Sequence, residues 1–292
     1  MPLRPTVRRL WFGLLTVFGL APRGFFIPYR YAAGVAGPEQ RAPYREAERR
    51  LEACAEVFGS TLDRIGKLAP EPERIAAPAG EGTPRPLPRW GQAWFPPLDA
   101  AVAYTIVRSR KPGRIVEVGS GHSTRFLARA VHDAGLDTRI TAIDPAPRAS
   151  LAGLGAGGRP VEWRRATAQE VGPGLAAELA AGDILFIDSS HILMPGTDVD
   201  LLFNHVLPAL PEGALVHIHD VFLPDDYPEA WAWRGYNEQL AIIPMLTGGG
   251  WTPLFASRYV ETRMAAELAR TAVAALPNPE RAPATSLWLE KA

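Results

Sequence analysis

Cysteine is almost missing from this sequence: Cys54 stands alone. One thiol excludes an intramolecular disulfide and a cysteine-built zinc cluster, and it fits a reducing, cytoplasmic compartment. An excess of either charge is missing as well, since 31 Lys and Arg face 31 Asp and Glu. No global field therefore favours nucleic acid or an acidic surface. There is no repeat of solenoid length. What is present is ordinary for a globular protein. Hydrophobic residues make up 47% and charged residues 21% of 292, enough chain for one large domain or a domain with an appendage.

Two stretches depart from that average. Residues 10–21, LWFGLLTVFGLA, follow Arg4, Arg8 and Arg9. A helix of that length rises about 18 Å, short of the roughly 30 Å hydrocarbon core. Extending it to Ile27 takes in Pro22 and Arg23, which argues against a spanning helix. The basic start and short apolar run also fit a signal peptide, with a faint cleavage signal near Ala36. Two further readings stand level. One is a helix packed on the protein's own core or on a partner. The other is an interfacial helix making peripheral contact with the inner membrane leaflet through residues 8–30. The second stretch runs from Pro70 to Pro97, where repeated prolines and glycines exclude a long helix or an interior strand. The expected organisation is an N-terminal helical extension (1–69), a proline-rich linker (70–97) and a main domain (98–292).

From residue 98 onward strands alternate with helices. Leu98–Arg110 carries apolar residues at helical spacing and is stopped by Lys111-Pro112-Gly113. Arg114–Val118 reads as a strand, Phe126–Val131 as a helix capped by Ser123 or Ser120, and Arg139–Ile143 as a second strand. Pro160–Trp163 is a weaker third strand, followed by a helix near Gly174–Ala181. Asp183–Ile187 is a continuous apolar run of the buried parallel kind. Asp200–Leu210 is helical, Ala214–Ile218 is the fifth strand, and Trp251–Ser257 and Ser286–Glu290 supply the last two. The pattern predicts an α/β, Rossmann-like, doubly wound sheet of seven mostly parallel strands with helices on both faces. In such sheets ligands bind beyond the carboxyl ends of the strands. Those ends carry Glu117 to His122, Asp144, Asp188 to His191, and His217 to Asp220, which points to a single cleft.

Glu117-Val-Gly119-Ser120-Gly121-His-Ser123 joins a strand to a helix, and its glycines permit a tight turn and close approach of a ligand. Thr124 stands where a dinucleotide fingerprint needs its third glycine, which weakens a nicotinamide reading. A carboxylate at Glu117 would repel a pyrophosphate but pair with a cation. Asp144 ends the next strand, where an acid accepts hydrogen bonds from ribose hydroxyls.

RIVEVGSGHS resembles motif I of class I S-adenosylmethionine (SAM)-dependent methyltransferases, and RITAID resembles their second-strand motif. Together with DILFIDSSH, GTDVD and HIHDVFLP, these segments are similar to a bacterial family (methyltransferase family 24-like) associated with sugar and secondary-metabolite modification. The resemblance implies a SAM site built from Glu117, Gly119, Ser120, Gly121, Asp144 and Asp188, with Gln169 reaching adenine. In the metal-dependent O-methyltransferases that the chain also resembles, an acid ending the fourth strand and a pair ending the fifth hold a divalent cation. Asp188 and His219-Asp220 match those positions. His219 departs from the usual oxygen ligand, so manganese, iron or zinc stand beside magnesium, or no metal at all. His191 matches the general base of the sugar-modifying relatives. His217 shares a face with His219 and reads as a hydrogen-bonded core histidine, and His122 as a wall of the cofactor pocket.

The segment Phe222–Gln239 is expected to cover the cleft. Its Tyr227, Trp231, Trp233 and Tyr236 either stack on an acceptor ring or anchor the loop, and Arg234 pairs with Glu238. Three functions follow. The first is O-methylation of a hydroxylated small molecule such as a saccharide or lipid-linked sugar. The second is a non-catalytic, membrane-associated SAM-binding partner in a biosynthetic assembly. The third, which Thr124 and Glu117 disfavour, is an NAD-dependent oxidoreductase.

Overall fold

The computed structural model describes residues 5–68, 72–75, 86–156 and 159–292. Of the proline-rich stretch, Pro70, Pro78 and Pro84 lie outside those residues, as does Arg4 near the N-terminus.

Seven strands form one sheet: β1 (Arg114–Val118), β2 (Arg139–Ile143), β3 (Glu162–Arg164), β4 (Ile184–Ile187), β5 (Leu215–Ile218), β6 (Trp251–Ala256) and β7 (Leu287–Lys291). Their order is β3-β2-β1-β4-β5-β7-β6, and only β7 runs antiparallel to its neighbours. β4, with ILFI, is buried throughout, as expected of a strand covered on both faces. The order reverses direction between β1 and β4, which places the switch point of the sheet there. Register then fixes the cleft. Val118 pairs with Ile143 on one side and Ile187 on the other, and Ile187 pairs with Ile218. The next residues, Gly119, Asp144, Asp188 and His219, therefore leave the sheet along one edge.

Helix 97–110 is buried on all sides from Pro97 to Val107, and Lys111 ends it in the left-handed region at φ 52°. Helix 122–133 packs against it. Helices 45–52 and 55–68 share the hydrophobic cluster of the sheet through Ala47, Leu51, Phe58, Leu62 and Ile65. Phe58 meets Phe255 of β6 with ring centroids 5.8 Å apart. Within the proline-rich stretch, the carbonyls of Arg74 and Ile75 accept from the Arg129 guanidinium.

Several local expectations are corrected. The third strand begins at Glu162, because Arg159–Pro160 pairs instead with Gly155–Ala156 in a separate two-stranded ribbon. The helix expected near Gly174–Ala181 is a 3₁₀ turn, Pro173–Glu178. The segment after Asp198 is α-helical only to Leu201, then widens into a π turn over Leu202–Val206. Ser123 does not cap helix 122–133. Its hydroxyl donates to Glu117, and the loop is closed by Gly121 N–H donating to Thr124 Oγ1.

Candidate functional site

Two cavities open along the carboxyl edge of the sheet. The first, of about 540 Å³, is lined by Gly119, Ser120, Asp144, Gln169 and Asp188 among others. The second, of about 350 Å³, is lined by Trp94, Asp188, His219, Asp220, Trp231 and Arg234 among others. Asp188 and Arg148 belong to both, so the cavities meet there.

The loop after β1 fits tightly. Gly119 has φ +81°, and a Cβ there would lie 1.9 Å from the carbonyl oxygen of Asp188. The glycine is thus demanded by the neighbouring strand end, not only by a ligand. Asp144 holds the same loop. Its Oδ2 accepts from Ser120 N–H (2.8 Å) and Oγ (3.0 Å), and its Oδ1 accepts from Ala146 N–H (2.7 Å). Glu117 is fully buried beneath the loop, accepting from Ser123 Oγ at 2.5 Å. Its Oε2 is buried without a hydrogen-bond partner in this structure. Burial pushes its carboxyl up to about 8, against hydrogen bonds from Ser123 and Thr124. Glu117 lines neither cavity, and its orphaned oxygen beneath the glycine loop fits a ligand that brings an ammonium group into reach. Trp163 does not face this cavity. Its Nε1 donates to the Asp144 carbonyl. His122 does not line it either. Burial, then the charges of Arg125 and Arg89, lower that ring to about 4 and keep it neutral.

On the far side of Asp188 lies a dense titratable cluster. His191 is 2% exposed and held at φ 61°, with Nε2 3.3 Å from both Asp188 Oδ1 and Asp220 Oδ2. Its Nδ1 meets Glu238 Oε1 at 2.5 Å, and its ring lies against Tyr236. His219 sits with Nδ1 3.5 Å from Asp220 Oδ1 and 3.7 Å from Asp188 Oδ1, and Nε2 3.6 Å from Asp99 Oδ2. Burial opposes charge on both rings. The surrounding carboxylates outweigh it, led by Glu238 for His191 and Asp220 for His219, and raise both histidines well above their usual range. Burial likewise opposes charge on Asp188. Hydrogen bonds from His191 and His219 overcome it and hold that carboxyl well below the usual range.

The arrangement lends no support to the expected metal set of Asp188, His219 and Asp220. The two carboxylates do converge, but imidazole nitrogens fill the space between them. Among the described residues, no group of three or more His, Cys, Asp or Glu is arranged to hold a metal ion. His191, the expected general base, lines neither cavity and stands behind the two aspartates. The expected Arg234–Glu238 pair is absent. Glu238 serves His191, while Arg234 lies 3.8 Å over the Trp231 ring and 3.9 Å from Asp220. Tyr227, Trp231 and Tyr236 pack on one another and on Phe222, so most of the loop's aromatics anchor it. Trp231 also walls the second cavity. His217 is the core histidine foreseen, stacked on Phe186 and sharing a hydrogen bond with Ser286.

Sequence reasoning missed Asp99 and Arg148, and it missed the role of Glu238 at His191. Asp99 is fully buried and accepts from Thr285 N–H (2.9 Å) and Ser286 N–H (3.1 Å). An acid inside the otherwise apolar segment PLDAAVAY was its one local signal. Glu238 gave none, because its partner lies across the cleft.

Residues 116–221 match the family model described as a methyltransferase domain, Methyltransf_24. No curated protein matches the chain. Among solved structures it is similar to the S-adenosylhomocysteine-bound methyltransferase PaMTH1 of Podospora anserina, at 14% identity over 92% of this chain and 99% of that one, with a TM-score of 0.36. It is also similar to cofactor-bound Rv0187 from MTB, at 14% identity over 86% and 99%, with a TM-score of 0.41. A third is the plantazolicin methyltransferase BpumL in complex with a desmethyl analogue and S-adenosylhomocysteine, at 13% identity over 82% and 98%, with a TM-score of 0.40.

Proposed function

We propose that this chain, whose residues 116–221 match a methyltransferase-domain family model, is a class I SAM-dependent methyltransferase of the family 24-like type that methylates a hydroxyl group of a small molecule held in the second cavity. The observation that carries this reading is the meeting of two cavities at Asp188, one under the glycine loop and one walled by His219, Asp220 and Trp231. SAM, when bound, supplies a methyl group on a sulfonium centre. Glu117, Ser120, Asp144 and Gln169 would hold it, Glu117 through its unpaired oxygen and Asp144 through lone pairs left by the loop.

On the acceptor side the hydroxyl must be aligned and must lose its proton as the new O–C bond forms and the S–C bond breaks. Asp220 faces the second cavity and takes that proton. His191 and His219 flank Asp220 and balance the carboxylate charge, which keeps two acids ionised in one buried place. Glu238 orients the His191 ring from behind. His191 is thus a positioning residue.

The test pairs calorimetry with a transfer assay. S-adenosylhomocysteine is expected to bind the purified protein. Label from methyl-tritiated SAM is expected in a hydroxylated saccharide or lipid-linked sugar from an acceptor panel. With that acceptor, Asp220→Asn is expected to lower turnover roughly 10²–10⁴-fold without changing S-adenosylhomocysteine affinity. Tight binding with no transfer to any acceptor would favour a non-catalytic SAM-binding partner.

A further inference from the structure

The N-terminal segment has no counterpart in the chemistry above. Pro5–Val17 is a helix, and among the described residues none forms a helix long and apolar enough to cross a membrane. Yet the segment does not bury its apolar side chains. Leu10 (64% exposed), Trp11 (54%), Phe18 (70%) and Phe26 (67%) face outward, together with Leu14, Val17 and Phe25. Of the eighteen large hydrophobic residues exposed among the described residues, thirteen lie between Val7 and Val35. That concentration is not what a self-packed helix leaves behind.

Charge says what covers this face. The first acid in the chain is Glu39, while Arg8, Arg9, Arg23 and Arg30 all precede it. None of these four arginines pairs with a carboxylate among the described residues. Aromatic rings lie beside them, with Arg8 over Phe12 and Arg30 over Tyr31. Unpaired arginines among exposed Trp, Phe and Leu match an anionic lipid surface, where the headgroups take the cations and the acyl boundary takes the rings. A second copy fits poorly, because a two-fold contact would set these arginines against their own like charges.

The segment also adjoins the site. Arg8, Arg9, Phe12 and Arg23 wall a cavity of about 580 Å³ together with Trp233 and Arg234. Arg234 lines the second cavity as well, and Phe25 lines the first.

We propose that residues 5–35 dock on an anionic lipid surface and bring the mouths of both cavities to that surface. The helix lies along the lipid headgroups and does not cross them. The acceptor then reaches the second cavity from the membrane side, as the hydroxylated headgroup of an amphiphile, and this last clause rests on the methyl-transfer reading.

Flotation of the full chain with vesicles tests the docking without any acceptor. At low salt the protein is expected to float with vesicles containing phosphatidylglycerol and to stay behind with pure phosphatidylcholine. Arg8→Glu with Arg9→Glu should weaken vesicle affinity at least about tenfold. Trp11→Ser with Phe18→Ser should weaken it independently, and S-adenosylhomocysteine affinity should stay unchanged in both double variants. An intact chain that ignores the anionic vesicles overturns the proposal, as does charge reversal without effect. A concentration-dependent dimer lost in the Trp11 and Phe18 variant, with no vesicle binding, would assign the face to a second copy and also overturn it. Failure of methyl transfer would leave the flotation result standing, so the two readings fail separately.

Discussion

Glu117 and Gly119 sit two residues apart and answer to different forces. At Gly119 the constraint is steric. Its φ of +81° and the 1.9 Å approach of a Cβ to the Asp188 carbonyl mean that any side chain must push β1 and β4 apart at the switch point. Gly119→Ala is expected to lower stability by more than about 2 kcal/mol, read by urea denaturation, and to weaken S-adenosylhomocysteine binding as a consequence of the displaced loop. At Glu117 the constraint is electrostatic. Burial raises its carboxyl from its ordinary 4.5 to about 8. Between those values the folded state holds a proton that the unfolded chain has released. Its contribution is therefore greatest below pH 4.5, falls as pH rises through the window, and is constant above about 8. Glu117→Gln is expected to flatten stability against pH across that window, a difference on the order of a few kcal/mol at its upper end. Parallel slopes for the two proteins would refute the buried-acid account.

Between elements, Asp99 ties helix 97–110 to the chain entering β7. Two buried backbone N–H groups, of Thr285 and Ser286, depend on it, and His219 lies 3.6 Å from its Oδ2. Asp99→Ala leaves both donors unpaired in a dry place and is expected to cost roughly 2–4 kcal/mol. Asp99→Asn keeps one acceptor oxygen and should cost less. Chemical denaturation of both variants measures the difference, and equal losses would show that the hydrogen bonds matter less than the charge beside His219. The loop after β5 shows the same dependence on distant partners. Its aromatics lock against Phe222, and that anchoring delivers Glu238 to His191.

For the molecule as a whole, the first cavity lies between β1, β2 and β4, so a ligand there binds only the assembled sheet. S-adenosylhomocysteine at a hundred times its Kd is expected to stabilise the protein by about 2.7 kcal/mol, a rise in Tm on the order of 5 °C. Asp144→Ala removes the acceptor for Ser120 and Ala146 N–H groups and should weaken binding roughly 10–100-fold. The thermal shift at the same ligand concentration should then fall to between about half and about one sixth. An undiminished shift would place the ribose contact elsewhere.

The sequence by itself determined which residues would stand at the strand ends. Alternation of apolar runs with polar stops is a local signal, so Glu117 to Gly121, Asp144, Asp188 and His219-Asp220 were legible before any coordinates, as was the buried run of β4. Seven strands of the expected kind follow from the same periodicity. Only the tertiary structure decided what those residues meet. The insertion of β7 between β5 and β6 is a long-range pairing with no local signature. Glu238 and Asp99 reach the histidines from remote segments, and a buried histidine's proton depends on every carboxylate around it. That is why only the structure shows Asp188 and Asp220 meeting the His191 and His219 rings in one carboxylate–imidazole network, with His191 behind the cavity walls. The N-terminal run was ambiguous for a related reason. Apolar spacing states that a face is hydrophobic, whereas only the packed chain states that the protein leaves it uncovered.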